Sequence, residues 1–138
     1  MMRKMKSDGI YLSIKPKFVS LIVKGEKNYE FRKYIPKRKF SKIYIYETLP
    51  KAEIKYVVEI EKIIKYPDKI IEPGYGNDDF NNGIKKSKYA YKLGKIKKLK
   101  NPIQLKELKE KYNFCPPQSY TYAESQRELT NYIENNII

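Results

Sequence analysis

The chain has 138 residues, with 30 Lys and Arg against 16 Asp and Glu, a formal charge of +14, one cysteine and no histidine. That length suits one domain. A lone cysteine excludes an internal disulfide, and no apolar stretch is long enough for a membrane span or a leader, so the cytoplasm is the expected location and no membrane partner is expected. The missing histidine excludes Ser-His-Asp and Cys-His catalysis and histidine-based zinc sites, while the excess charge points to a polyanionic partner.

Residues 1–9 read as a frayed, charged segment ahead of a single domain over 10–138. Tyr11 to Lys15 alternates as a first strand. Pro16 opens a short helix, where its missing N–H costs nothing, and Gly25 closes it in the left-handed conformation, with Phe18, Leu21 and Ile22 on the apolar side. After Gly25 the period becomes two. Over 28–34, Tyr29 and Phe31 face one way and Glu30 and Arg32 the other, with Lys27 in the joining turn, outside the core, leaning over the Glu30/Arg32 face. Ile35 to Arg38 reads as a basic loop. Strand 42–48 sets Ile43 and Ile45 against Tyr44 and Tyr46 and predicts burial on both sides. After a turn at Leu49-Pro50, strand 53–64 points Ile54, Tyr56, Val58 and Ile60 at the core and its other face mostly at water.

Tyr66 to Gly83 is crowded with Pro, Gly, Asn and Asp and predicts loop, and its acidic patch lacks the spacing of a calcium site. Tyr89, Tyr91 and Leu93 set a strand over 88–99 whose phase slips at Gly94 to Ile96, as at a β-bulge. Asn101-Pro102 predicts a helix start, Asn101 as N-cap, with Leu105, Leu108 and Tyr112 as its stripe. Cys115, against Pro116 and Pro117, is expected to be a buried structural thiol. A last strand over 119–122 and a helix over 124–134, offering Leu129, Tyr132 and Ile133, complete the chain. Short alternating strands with a few helices predict an α+β fold, a small curled sheet or barrel with helices packed outside.

The stretch Gly25-Glu26-Lys27-Asn28-Tyr29-Glu30-Phe31-Arg32 resembles the Gly-x-Lys-x-x-Glu-x-Arg hallmark of the ASCH domains, a branch of the PUA-like superfamily. The flanks agree: Leu12 to Pro16 before the helix, and Ile43 to Thr48 with Pro50 after it. Ala90 to Leu93 and Pro116 to Tyr120 also resemble segments of small prokaryotic or phage-type members, so the resemblance covers about residues 10–122. It implies a PUA-like β-barrel of five to six strands with two to three flanking helices and a cleft beside the first helix.

It also implies binding of RNA, of another single-stranded nucleic acid, or of a modified nucleotide. In that reading Lys27, Glu30, Arg32 and an aromatic, Tyr34 or Tyr46, hold a base. Lys15 and Lys33 meet phosphate, Lys37, Arg38 and Lys39 track the backbone, and Thr48 and Ser119 offer hydroxyls. Equally, Glu30 and Arg32 suit a pair that merely fixes the cleft wall. An enzyme is the alternative, either a metal-independent ribonuclease or an N4-acetylcytidine amidohydrolase, with Lys27 and Glu30 as catalytic residues. Such amidohydrolases use a lysine and, three residues on, a threonine; Lys27 matches the lysine but Glu30 stands at the threonine position. A third reading is a regulator whose basic surface docks an acidic protein. No cofactor and no metal are expected. The basic residues cluster, with a net charge of +10 over residues 1–66 and +4 over 67–138, although lysine-rich composition also follows from an A+T-rich coding sequence.

Overall fold

The computed structural model describes residues 8–138, so the expected fraying of residues 1–7 lies outside the described residues. Gly9, expected in that segment, instead opens β1 (Gly9–Ile14). A Cβ there would lie 2.5 Å from Tyr44 Cε2, so this close approach requires glycine. The remaining elements are α1 (Pro16–Val23), β2 (Tyr29–Arg32), β3 (Lys42–Glu47), β4 (Glu53–Lys65), α2 (Asn77–Asn81), β5 (Tyr89–Gln104), α3 (Leu105–Tyr112), β6 (Thr121–Tyr122) and α4 (Arg127–Glu134). A 3₁₀ turn, Ala123–Gln126, leads into α4.

The six strands form one sheet in the order β2-β5-β4-β3-β1-β6. Only β1 and β3 run parallel; the other neighbours are antiparallel. The sheet curls into a half-barrel. Arg32 Nη2, on edge strand β2, donates to the Ser13 carbonyl of β1 at 3.1 Å, although three strands separate them in the sheet order.

Both faces of the sheet are covered. Ile10, Leu12, Ile14, Ile43, Ile45, Val58 and Tyr91 pack with Val19 and Ile22 of α1 on one side. Tyr11, Tyr44, Tyr46, Ile54 and Val57 pack with Leu108, Leu129 and Ile133 of α3 and α4 on the other. Strand β3 is therefore buried on both sides, as its pattern predicts. The expectation for β4 is corrected: its register shifts between Ile54 and Tyr56, so Ile54 joins the α3/α4 side while Tyr56, Val58 and Ile60 stay on the α1 side. In β5 the phase slip falls where expected. Val58 pairs with Ile96 and Ile60 with Leu93, which leaves an extra residue on the β5 side.

Three further expectations give way. Asn101-Pro102 starts no helix but lies in β5, which runs on to Gln104, and α3 begins at Leu105. Pro102 fits there because β4 pairs with Lys98 and then Ile103, so the missing N–H falls on an unpaired excursion. Within the predicted loop, Asn77–Asn81 forms a helical turn that carries Phe80 against Tyr29, Phe31, Ile70 and Tyr66, an apolar cluster too sparse to show as periodicity. Cys115 is exposed; its neighbour Phe114 is the buried residue, packed edge-on against Tyr11. No helix among the described residues is long and apolar enough to cross a membrane.

Candidate functional site

The end of α1 sets the position of Lys27. Gly25 takes φ 82°, and the N–H groups of both Glu26 and Lys27 then donate to the Leu21 carbonyl, which folds the chain back under the helix. The Lys27 side chain is 5% exposed, so it lies in a turn yet inside the core, contrary to expectation. Its Nζ donates to the Tyr29 carbonyl at 2.7 Å, lies 3.6 Å from Glu30 Oε1 and faces the Phe31 ring at 4.6 Å. Burial pulls its pKa below the ordinary 10.5, with Glu30 opposing that shift and Lys85 reinforcing it.

Strand phase sends Glu30 and Arg32 to the same side, as expected. Glu30 Oε2 accepts from Arg32 Nε at 3.0 Å and pairs with Nη2 at 2.9 Å. A buried carboxylate is thus held between two cations. Tyr91, on the neighbouring strand, donates its hydroxyl to the Tyr34 carbonyl at 2.8 Å. Burial pushes this phenol up to about 12, so it remains a neutral donor at physiological pH.

A cavity of about 700 Å³ opens against this wall, between β1, the start of α1, β2 with the following loop, and the segment 118–120. Leu12, Ile14, Phe18 and Tyr91 supply apolar surface; Lys15, Lys33 and Lys37 supply charge. Of the residues expected at the site, Lys15, Glu30, Arg32, Lys33, Tyr34, Lys37 and Ser119 line it. The others do not. Lys27 lies behind Glu30, and Tyr46 is buried on the α3/α4 side against Phe114. Thr48 belongs to the turn after β3, where its carbonyl accepts from Lys51 and Ala52. Lys39 is exposed outside the cavity.

Arg38 is turned away and acts as a strap. Its guanidinium lies 3.8 Å from the centre of the Tyr122 ring, and Nη1 donates to Glu124 at 2.8 Å. Residues missed from sequence are Ser13, Phe18, Ser87, Tyr91, Gln118 and Tyr120. Tyr91 and the 118–120 segment sit inside the stretches that carried the later family resemblance, which was the available signal. Ser13 Oγ donates to the Pro117 carbonyl at 2.7 Å and so anchors the segment bearing Gln118 and Ser119.

Comparison with known proteins agrees with this architecture. The profile of the ASCH domain matches residues 12–138. The chain is 32% identical over 139 aligned residues to an "ASCH domain-containing ribonuclease" from Zymomonas mobilis subsp. mobilis, covering 89% of this chain and 93% of that protein. The crystal structure of ASCH from Zymomonas mobilis superposes with a TM-score of 0.65 at 28% identity, covering 90% of this chain and 94% of that one. Its tyrosine-to-phenylalanine variant gives 0.65 at 28% identity, covering 90% and 97%. Its serine-to-alanine variant gives 0.64 at 27% identity, covering 91% and 96%.

Two predictions follow from these contacts. Arg38→Ala removes one cation–π stack and one exposed ion pair, which together license about a tenfold increase in local opening of the 33–41 loop. Limited trypsin digestion should then cut after Lys37 and Lys39 about that much faster, with amide protection in the sheet unchanged; an unchanged cleavage rate would show the strap to be slack. Lys27→Met keeps the stem but removes the charge. A buried ammonium with a lowered pKa weakens the fold while protonated, and that penalty fades as pH rises toward 10.5. Urea midpoints of wild type relative to Lys27→Met should therefore shift in favour of wild type as pH approaches 10.5; a constant difference would show that the Lys27 charge carries no penalty.

Proposed function

Because this chain belongs to the ASCH domain family, we propose that it is an RNA-handling protein whose cavity takes an unpaired nucleotide of a single strand. One combination carries this reading: an apolar cavity of about 700 Å³ rimmed by Lys15, Lys33 and Lys37, none with a carboxylate partner among the described residues. Unneutralised lysines at a rim attract phosphate, and an apolar floor accepts a base. Tyr34, 75% exposed at the same rim, offers a ring face for stacking.

Fluorescence anisotropy with a short unstructured RNA tests it. Each phosphate contact on a single strand contributes about 0.7 to the slope of log K against log salt, so Lys33→Ala with Lys37→Ala should flatten the slope by about 1.4. An unchanged slope would remove these lysines from the interface. Equally tight binding of polyglutamate would favour an acidic protein as the partner.

Strand cleavage is the second reading, favoured by the ribonuclease named above. Among the described residues no cluster of three His, Cys, Asp or Glu could hold a metal ion. Lys27 does not line the cavity, and the Glu30 charge is taken up by Lys27 and Arg32. In this reading the exposed hydroxyls of Tyr34 and Ser119, with Lys33 and Lys37, would carry the chemistry. The ribose 2′-oxygen would attack the adjacent phosphorus, losing its proton to a rim group, while the 5′-oxygen leaves and takes up a proton; the lysines offset the added charge on phosphorus. End-labelled RNA should yield 2′,3′-cyclic phosphate ends even in EDTA, and Tyr34→Phe or Ser119→Ala should slow cleavage about 10²-fold while binding persists. Intact RNA after prolonged incubation would leave binding alone. Acetylcytidine hydrolysis is disfavoured because glutamate replaces threonine at position 30 and its carboxylate is already paired.

A further inference from the structure

The Arg32 guanidinium is fixed from one side only. Of its five N–H groups, the one on Nε goes to Glu30 Oε2 at 3.0 Å, and Nη2 serves both Glu30 Oε2 at 2.9 Å and the Ser13 carbonyl at 3.1 Å. Nη1 has no partner among the described residues. Because the group is planar, holding Nε and Nη2 also holds Nη1, so the free donors cannot swing away as a lysine would. Arg32 lines the cavity with its side chain 22% exposed, beside the apolar Leu12, Ile14 and Tyr91. Glu30, the obvious acceptor at this wall, has Oε2 occupied by Arg32 and Oε1 facing Lys27.

We propose that Arg32 reads the nucleotide by donating from Nη1 to a base carbonyl, with Glu30 as the positioning residue that holds it. This rests on the RNA reading above and deepens it by naming the ligand edge. Uracil, cytosine and guanine each carry a carbonyl; adenine carries none, only ring nitrogens and a donating amine. A cavity that presents fixed donors therefore favours the first three and leaves adenine with a mismatched edge. If Glu30 made the contact instead, the amine-bearing adenine, cytosine and guanine would be favoured over uracil. Phosphate is the less suitable partner for Arg32, since Lys15, Lys33 and Lys37 stand at the rim while Arg32 lies against the apolar wall.

The test is competition for a labelled unstructured RNA by UMP, CMP, GMP, AMP and ribose 5-phosphate, using the full chain. The three carbonyl-bearing nucleotides should compete about tenfold or more better than AMP, and ribose 5-phosphate should compete no better than AMP. Arg32→Lys should abolish the preference while retaining binding of the labelled RNA through the rim lysines. Glu30→Gln should weaken the preference without reversing it, since Arg32 keeps its Ser13 contact. Circular dichroism melts and a urea midpoint check that each variant is folded; should Arg32→Lys unfold, the wild-type ranking still decides. RNA binding with equal competition by all four nucleotides overturns this inference and spares the RNA reading. A preference for AMP reverses the roles of Arg32 and Glu30, and ribose 5-phosphate competing as well as UMP makes Arg32 a phosphate anchor. No binding of the labelled RNA overturns both.

Discussion

The buried Glu30 carboxylate is the constraint around which the cavity end of the molecule is arranged. At 7% exposure an unpaired carboxylate would cost several kcal/mol, and here its charge is offset by Lys27 on one side and Arg32 on the other. Arg32 in turn reaches the Ser13 carbonyl of β1, so the same triad ties edge strand β2 to β1, the strand next to the opposite edge, across a seam that lacks a strand ladder. Where the seam is bridged by side chains rather than by backbone pairing, space remains, and that space is the cavity. On the β5 side of β2, the Tyr91 hydroxyl holds the Tyr34 carbonyl and so fixes the loop that follows β2 beside the same cavity.

The cover over Lys27 comes from the segment between β4 and β5. Tyr75 donates its N–H to the Glu26 carbonyl, Asn77 bonds Asn28, and Tyr29 donates its hydroxyl to Glu72. Phe31 stacks on Phe80 of α2, so the ring that Lys27 faces is itself held by this cover. The desolvation that lowers the Lys27 pKa therefore depends on a stretch that composition alone marks as loop.

Net charge is a poor guide to where a polyanion would dock. Lys92 pairs with Glu61 and Glu72, and Lys97 pairs with Glu59, so part of the lysine-rich β5 is neutralised by β4 and the loop beside it. Arg38, a basic residue in the middle of a basic loop, spends its charge on Glu124 and its plane on Tyr122. The cavity rim is different: its three lysines project from a helix start and a loop with no acidic neighbour within ion-pair distance among the described residues. The loop that carries Lys33, Tyr34 and Lys37 is held in place by Arg38 through Tyr122 and Glu124.

Local pattern was enough to determine most of the elements. Pro16 and Gly25 bracket α1, two-residue alternation separates Tyr29 and Phe31 from Glu30 and Arg32, and the slip at Gly94 marks the bulge in β5, because each rests on backbone geometry within a few residues. The hallmark from Gly25 to Arg32 likewise identified the family, and its Glu30 and Arg32 line the cavity. Three-dimensional pairing decided the rest. Asn101-Pro102 reads as a helix start until β4 extends the ladder to Gln104; Ile54 and Tyr56 read as one face until the register shift divides them. The Arg32 contact with Ser13, the burial of Lys27, the departure of Tyr46 to the far core and the turning of Arg38 toward Glu124 all depend on residues distant in the chain. Periodicity reports which face a side chain takes on its own element. Only the curl of the sheet, which brings β2 to β1 across three intervening strands, decides what that face meets.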